Sequence, residues 1–278
     1  MPAPQATMMQ ELAKAQFMTF AIKLPVDWKQ PQGEAGRQYG NAFKPSEHVG
    51  MVTPPTLFVP ASTNKYHTDT VNKISKQFAD FIDGICSAIC SAWSQWQTAA
   101  TMVGVLITGP VASMGQVVGI PWLPLIMGSG PKSTPAELKY TTTIANVLNT
   151  AWLAYTATIK VPGLPWYPAF SAVPSPVAPP MPNVPVPVAA LTQVTVPISK
   201  AILKGQMIAM HADPTAEHHV ELFDSIADAF EKCFQIWQTT TMVTNVLGTG
   251  PVPTFAPPVV PVGPVLGGVG TMTPGGFT

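Results

Sequence analysis

A chain of 278 residues can hold one sizeable core or two units of ordinary size, but only 10% of this one is charged, against about 25% in an average soluble domain, and proline reaches 32 residues. A solvated surface is normally built from charge, so much of this surface is expected to be covered by partners or by lipid. Lys+Arg and Asp+Glu balance at 14 each and Arg37 is the only arginine, which leaves no guanidinium cluster for phosphates or base edges and argues against nucleic-acid binding.

Met1-Pro2-Ala3-Pro4-Gln5 has neither the basic n-region nor the apolar h-region of a secretory signal, so synthesis in the cytoplasm without a signal peptide is expected. From about Thr7 to Ile22, Met8, Met9, Leu12, Phe17, Met18 and Phe20 interleave with Glu11 and Lys14, a pattern that predicts one amphipathic helix stopped by Pro25. Residues 26–60 are polar, with Gly33, Gly36, Gly40 and Pro54-Pro55 as breakers, and read as an extended arm lying on a neighbour. Helix and arm make an N-terminal segment, 1–61.

A first unit, 62–131, opens at the N-caps Ser62-Thr63-Asn64 with a predicted helix from roughly His67 to Ala99. Phe78, Ile82, Ile85, Ile89, Trp93 and Trp96 fall three or four apart, which puts both tryptophans on one packing stripe. Met102 to Ile107 has the short, apolar, β-branched profile of a strand, and Gly109-Pro110 ends it in a turn. The phrase from Trp96-Gln97-Thr98 through Val105-Leu106-Ile107-Thr108-Gly109-Pro110-Val111 occurs twice. At a spacing of 141, Trp237-Gln238-Thr239 and Val246-Leu247-Gly248-Thr249-Gly250-Pro251-Val252 repeat it, and twelve of the twenty-nine positions of 83–111 are identical without a gap. Self-similarity at fixed spacing points to duplicated structural units.

A second unit, 132–199, is a degenerate copy: at a spacing of 59, Ile144, Ala151, Trp152 and Tyr155 fall under Ile85, Ala92, Trp93 and Trp96, and Val161-Pro162-Gly163 breaks the helix. Residues 161–199 carry no charge, and the Pro-Val alternation of Val184 to Val188 favours extended polyproline-like chain before a short strand at Val194–Ile198. The third unit, 200–278, holds a short helix at Ala201–Met210. Asp213-Pro214, an N-cap with proline at the first helical position, then opens a helix to about Thr240 with Phe223, Ile226, Phe230, Phe234 and Trp237 on its stripe. Its tail, charge-free from Cys233 to Thr278, has no core of its own and reads as an arm docked on other subunits. Removing 254–278 is then expected to leave the helices folded and weaken association. The fold class that follows is α+β, with two to three repeated helix-plus-short-strand units joined by long Pro/Gly-rich arms.

Chemistry is hard to place on this chain. His211, His218 and His219 near Asp213, Glu217 and Glu221 invite a metal, but adjacent histidines point to different faces of a helix and no zincin-type i, i+4 pair exists, so a polar first helical turn is the better reading. Cys86, Cys90 and Cys233 are too few and odd for a disulfide framework and read as buried apolar residues. Asp80 and Asp83 lie beside Lys76, as on a solvated face. No nucleophile elbow, phosphate loop or dinucleotide fingerprint is present, so no enzyme, catalytic residue, cofactor or metal is expected. Residues 84–131 are uncharged for long enough to span a bilayer, which keeps a membrane-embedded protein as the alternative. Gly109-Pro110, Gly119-Ile120-Pro121 and Pro124 break that run too often for lipid-exposed helix.

The residues expected to carry function are therefore those of packing: Trp93, Trp96, Trp152, Tyr155, Phe234 and Trp237 on the stripes, with Gly109, Pro110, Gly250 and Pro251 at the strand ends. Duplicated helix-plus-strand units and uncharged Pro/Gly arms give the chain a general character that resembles the structural proteins of phage virions and contractile tails, baseplates included. That resemblance implies a subunit whose partners are other copies of itself and other structural proteins of a large particle.

Overall fold

The computed structural model describes residues 3–24, 57, 65–191, 198–255 and 263–278. Three long helices, α2 (Lys65–Ala99), α4 (Pro135–Thr158) and α6 (His219–Thr240), are accompanied by three shorter ones, α1 (Ala6–Met18), α3 (Trp122–Ser129) and α5 (Lys200–His211). Each short helix packs on two long ones: α1 on α6 and α2, α3 on α2 and α4, α5 on α4 and α6. The six thus form a closed circuit of neighbours. The apolar periodicity that makes them helices also fixes this arrangement, because Ile82, Ile85, Ile89, Trp93 and Trp96 of α2 and Phe223, Ile226, Phe230, Phe234 and Trp237 of α6 are all buried.

Local signals set several ends. Thr134 and Glu137 form a capping box with Pro135 as the first residue of α4, and Ser199 accepts from the Ile202 N–H at the start of α5. α3 lacks a cap of its own; Asn149, across on α4, accepts from Trp122 N at 2.9 Å and Leu123 N at 3.2 Å.

Each long helix runs almost straight into a strand. α2 leads to β1 (Thr101–Thr108), α4 to β3 (Val161–Pro165), and α6 to β6 (Met242–Val243) and then β7 (Val246–Pro251). With β2 (Val111–Val118), β4 (Val177–Met181) and β8 (Leu266–Met272) they build an antiparallel six-stranded sheet of order β3-β2-β1-β8-β7-β4; β5 (Val186–Pro187) pairs separately with β6. Prolines 162, 165, 179 and 180 lie in β3 and β4, the two edges, where a missing N–H interrupts least of the ladder. The edges turn toward each other: the Val184 N–H, just past β4, donates to the Trp166 carbonyl, just past β3, at 2.9 Å.

The α+β expectation holds, and several particulars change. Gly109-Pro110 makes the expected turn and the chain then doubles back as β2, and Val161-Pro162-Gly163 follows the end of α4 as expected and is itself part of the edge strand β3. The charge-free tail is no arm where it is described, since β8 sits between β1 and β7. α6 starts at His219: Asp213 accepts from the Thr215 N–H at 3.1 Å and its hydroxyl at 2.7 Å, capping a turn, and left-handed His218 (φ 59°) interrupts the backbone. The uncharged run 84–131 is divided among the end of α2, the β1–β2 hairpin and α3, and among the described residues no helix is long and apolar enough to cross a membrane. The expected arm at 26–60, save buried Leu57, and most of the Val194–Ile198 strand lie outside the described residues.

Candidate functional site

The long helices meet through their rings. Trp152 of α4 stacks on Trp122 of α3 with centroids 4.3 Å apart and stands edge-on to Trp96 at 4.8 Å and Trp93 at 5.0 Å. Trp237 of α6 lies 5.4 Å from Trp152 and 5.5 Å from Trp93, while Phe234 meets Tyr155 at 4.8 Å. All are buried. Offset and edge-to-face contacts of this kind add stability beyond area burial. The rim is tied by amides: Trp237 Nε1 donates to Gln97 Oε1 at 2.9 Å, Gln238 Nε2 to the Tyr155 hydroxyl at 3.4 Å, and Gln97 Nε2 to the Phe277 carbonyl at 3.0 Å. The indole N–H groups of Trp93, Trp122 and Trp152 find no acceptor among the described residues. Burial pushes the Tyr155 phenol well above its usual range, so it is a neutral hydroxyl.

At the far end of the strands three loops distant in sequence close on one another. The Gly109 N–H donates to the Val265 carbonyl at 2.6 Å, the Val265 N–H to the Phe170 carbonyl at 3.3 Å, and the Tyr167 N–H to the Pro110 carbonyl at 3.0 Å. Gly109 has φ +59°, as the first position of a two-residue hairpin loop with proline second requires. Tyr167 and Phe170 fill the space inside, and the Tyr167 hydroxyl reaches the Val246 carbonyl at 2.7 Å. A Cβ at Gly250 would stand 2.4 Å from Gly268 Cα, so two backbones touch there.

The six stripe residues therefore come together as expected. The two Gly-Pro copies part: Gly109-Pro110 is a tight turn in the loop ring, whereas Gly250-Pro251 ends β7, with Pro251 paired to Val177. Gln97 belongs to the repeated Trp-Gln-Thr phrase, whereas Trp122 and Phe277 stand in no sequence pattern. Trp122 follows a Gly-Ile-Pro breaker, and Phe277 sits in a Pro-Gly tail; no periodicity marks either.

Polar groups elsewhere serve the helices. Asp224 is held by Lys200 at 2.8 Å, Lys204 at 2.9 Å and Gln16 at 3.0 Å; burial pushes its carboxyl up, and these three partners outweigh that and hold it below the usual range. His211 stacks on Tyr140 at 4.4 Å, and burial, then the nearby Lys139 charge, lowers its pKa. Among the described residues no three His, Cys, Asp or Glu side chains are placed to share a metal. Cys86, Cys90 and Cys233 are free and buried. A cleft of about 280 Å³ between the start of α1 and the end of α6 is lined by Ala3, Pro4, Gln5, Met8, Cys233, Ile236 and Trp237, which offer one amide and one buried thiol. Comparison of the chain with known protein families, curated proteins and solved structures finds no match.

Proposed function

We propose that this protein is a structural subunit of a large multi-subunit particle of the phage virion or contractile-tail kind, acting by packing and not by turnover. It is built, on this reading, from three units, each a short helix, a long helix and two strands: α1-α2-β1-β2, α3-α4-β3-β4 and α5-α6-β7-β8. What supports the units is that the helix circuit, the ring cluster and the loop ring each draw one contribution from every unit. The observation that carries the subunit reading is a ring-filled buried interior beneath a sheet whose outward side is uncharged and exposes Val103, Leu106, Met114, Val177, Leu247 and Val269, a surface suited to burial by other chains.

Velocity sedimentation of a detergent-free lysate from the native source, followed by electron microscopy of the fraction containing the chain, tests it. The expected result is a salt-resistant particle many times larger than the 29.5 kDa chain. A chain that sediments alone, or needs detergent for extraction, overturns the proposal.

A further inference from the structure

Among the described residues, none of the eight strands contains Asp, Glu, Lys, Arg or His. Along their outward side Val103, Leu106, Met114, Val177, Leu247 and Val269 are 37% to 57% exposed. These residues are joined, not scattered: Leu106 of β1 lies opposite Val269 of β8, which faces Thr249 of β7, so an uncharged row crosses three neighbouring strands. An uncharged surface carrying this many exposed apolar side chains marks an interface.

The course of the row limits what can cover it. The strand order runs from β2 through β1, β8 and β7 to β4, whose continuation returns to that of β3 through the Val184–Trp166 bond, so the uncharged side wraps around the strands as a wall. A flat lipid surface reaches one side of such a wall, and so does a second copy of this chain across a two-fold axis. In that order the β1–β2, β7–β8 and β3–β4 strands of the three units stand at three successive positions around it, so contacts from three sides are needed to cover it. Its lack of charge calls for a lining that also lacks charge, because an ionic group facing it is desolvated without a counterpart. We infer that the wall is the docking surface for a three-fold-symmetric protein, a homotrimer or a ring of six with an uncharged apolar lining, which seats one copy of this chain on its axis. The inference rests on the structural-subunit reading above.

The test is native mass spectrometry and cryo-electron microscopy, without imposed symmetry, of the complex purified through a tag on the full-length chain from its native source. One copy of the chain per three or six copies of one partner, with the strands around the partner's axis, is the expected result. A Leu106→Asp/Val269→Asp variant should be lost from the complex while keeping its native tryptophan emission; should it lose that emission, Leu106→Gln/Val269→Thr is used instead. A ratio of one to one or one to two, an off-axis position, or a folded double variant still in the complex overturns the three-fold inference and leaves the subunit reading standing. A solitary monomer overturns both.

Discussion

In the helical half, large rings fill the interior and most of the charge lies outside, Asp224 and Asp228 excepted; in the sheet half, glycine narrows the interior and none of the described strands carries a charge. Helical lysines make ion pairs among the described residues: Lys14 with Asp83, Lys76 with Asp80, Lys139 with Asp213, Lys200 and Lys204 with Asp224, and Lys232 with Asp228. Lys14, Lys76 and Lys139 pair at or near the surface, where ion pairs contribute little to stability but keep the helices wetted, whereas Lys200, Lys204 and Lys232 reach the buried carboxylates of Asp224 and Asp228. The sheet has no such device. Its form is held by backbone ladders, by the loop ring, and by Tyr167 and Phe170 inside. The difference teaches that the two halves are selected by what lies outside them as much as by what they enclose.

The most severe way to break this division is to remove residues 264–278. β8 joins β1 to β7 and Phe277 lies 5.4 Å from Trp96, so both halves lose a shared element. The truncated chain is expected to show no cooperative thermal transition by circular dichroism, the reverse of what a docking arm would give. A retained native-like melt would mean that the halves fold separately. Next in size is Trp152→Ala, which empties the middle of the ring cluster and should cost about 3–5 kcal/mol in urea unfolding. A cost below about 1 kcal/mol would show that the neighbouring rings collapse into the gap.

Asp224→Asn sharpens the comparison from the charged side. Losing the carboxylate that faces Lys200 and Lys204 should destabilise by about 1–3 kcal/mol, reduced from a fully buried pair because both lysines are partly exposed. Its folded pKa is depressed, so the native stabilisation is present above the unfolded value of about 4 and is lost as pH falls through the folded value. The gap between native and variant melting temperatures should therefore be full at neutral pH and close under strongly acidic conditions; a pH-independent gap would locate the effect elsewhere. The smallest effect concerns the thiols. Burial raises Cys90 to about 12 and Cys233 to about 11, and lifts Cys86 as well, so none is a thiolate at neutral pH. The folded protein should resist a thiol reagent that labels all three after denaturation, and rapid native labelling would reveal opening of the helices.

The stripes of α2, α4 and α6 were legible because a period of three and four survives any change of neighbour. β1 was legible too, being β-branched and bounded by Gly109. α3 was not, because its cap is Asn149 on another helix, and a tertiary cap leaves no local mark. The start of α6 was misplaced for a related reason: Asp213-Pro214 suits a turn as well as a helix N-terminus. β4 and β8 escaped notice since Pro179-Pro180 and Gly267-Gly268 replace the alternation that announces a strand. The joining of the six packing residues into one cluster follows from three stripes needing burial, whereas the loop ring depends on backbone atoms, to which side-chain patterns are blind.

The place of β8 between β1 and β7 also orders events in time. As the chain is synthesised, the β1–β2 hairpin exists long before residues 266–272 do, and until they arrive β1 offers an unpaired edge beside uncharged apolar side chains. Loop closure over such a separation is slow compared with helix formation, so β8 is expected to be the last strand to join the sheet. The final strand acts as a bolt drawn across that opening, and its arrival marks the moment at which the molecule becomes safe from pairing with the wrong chain.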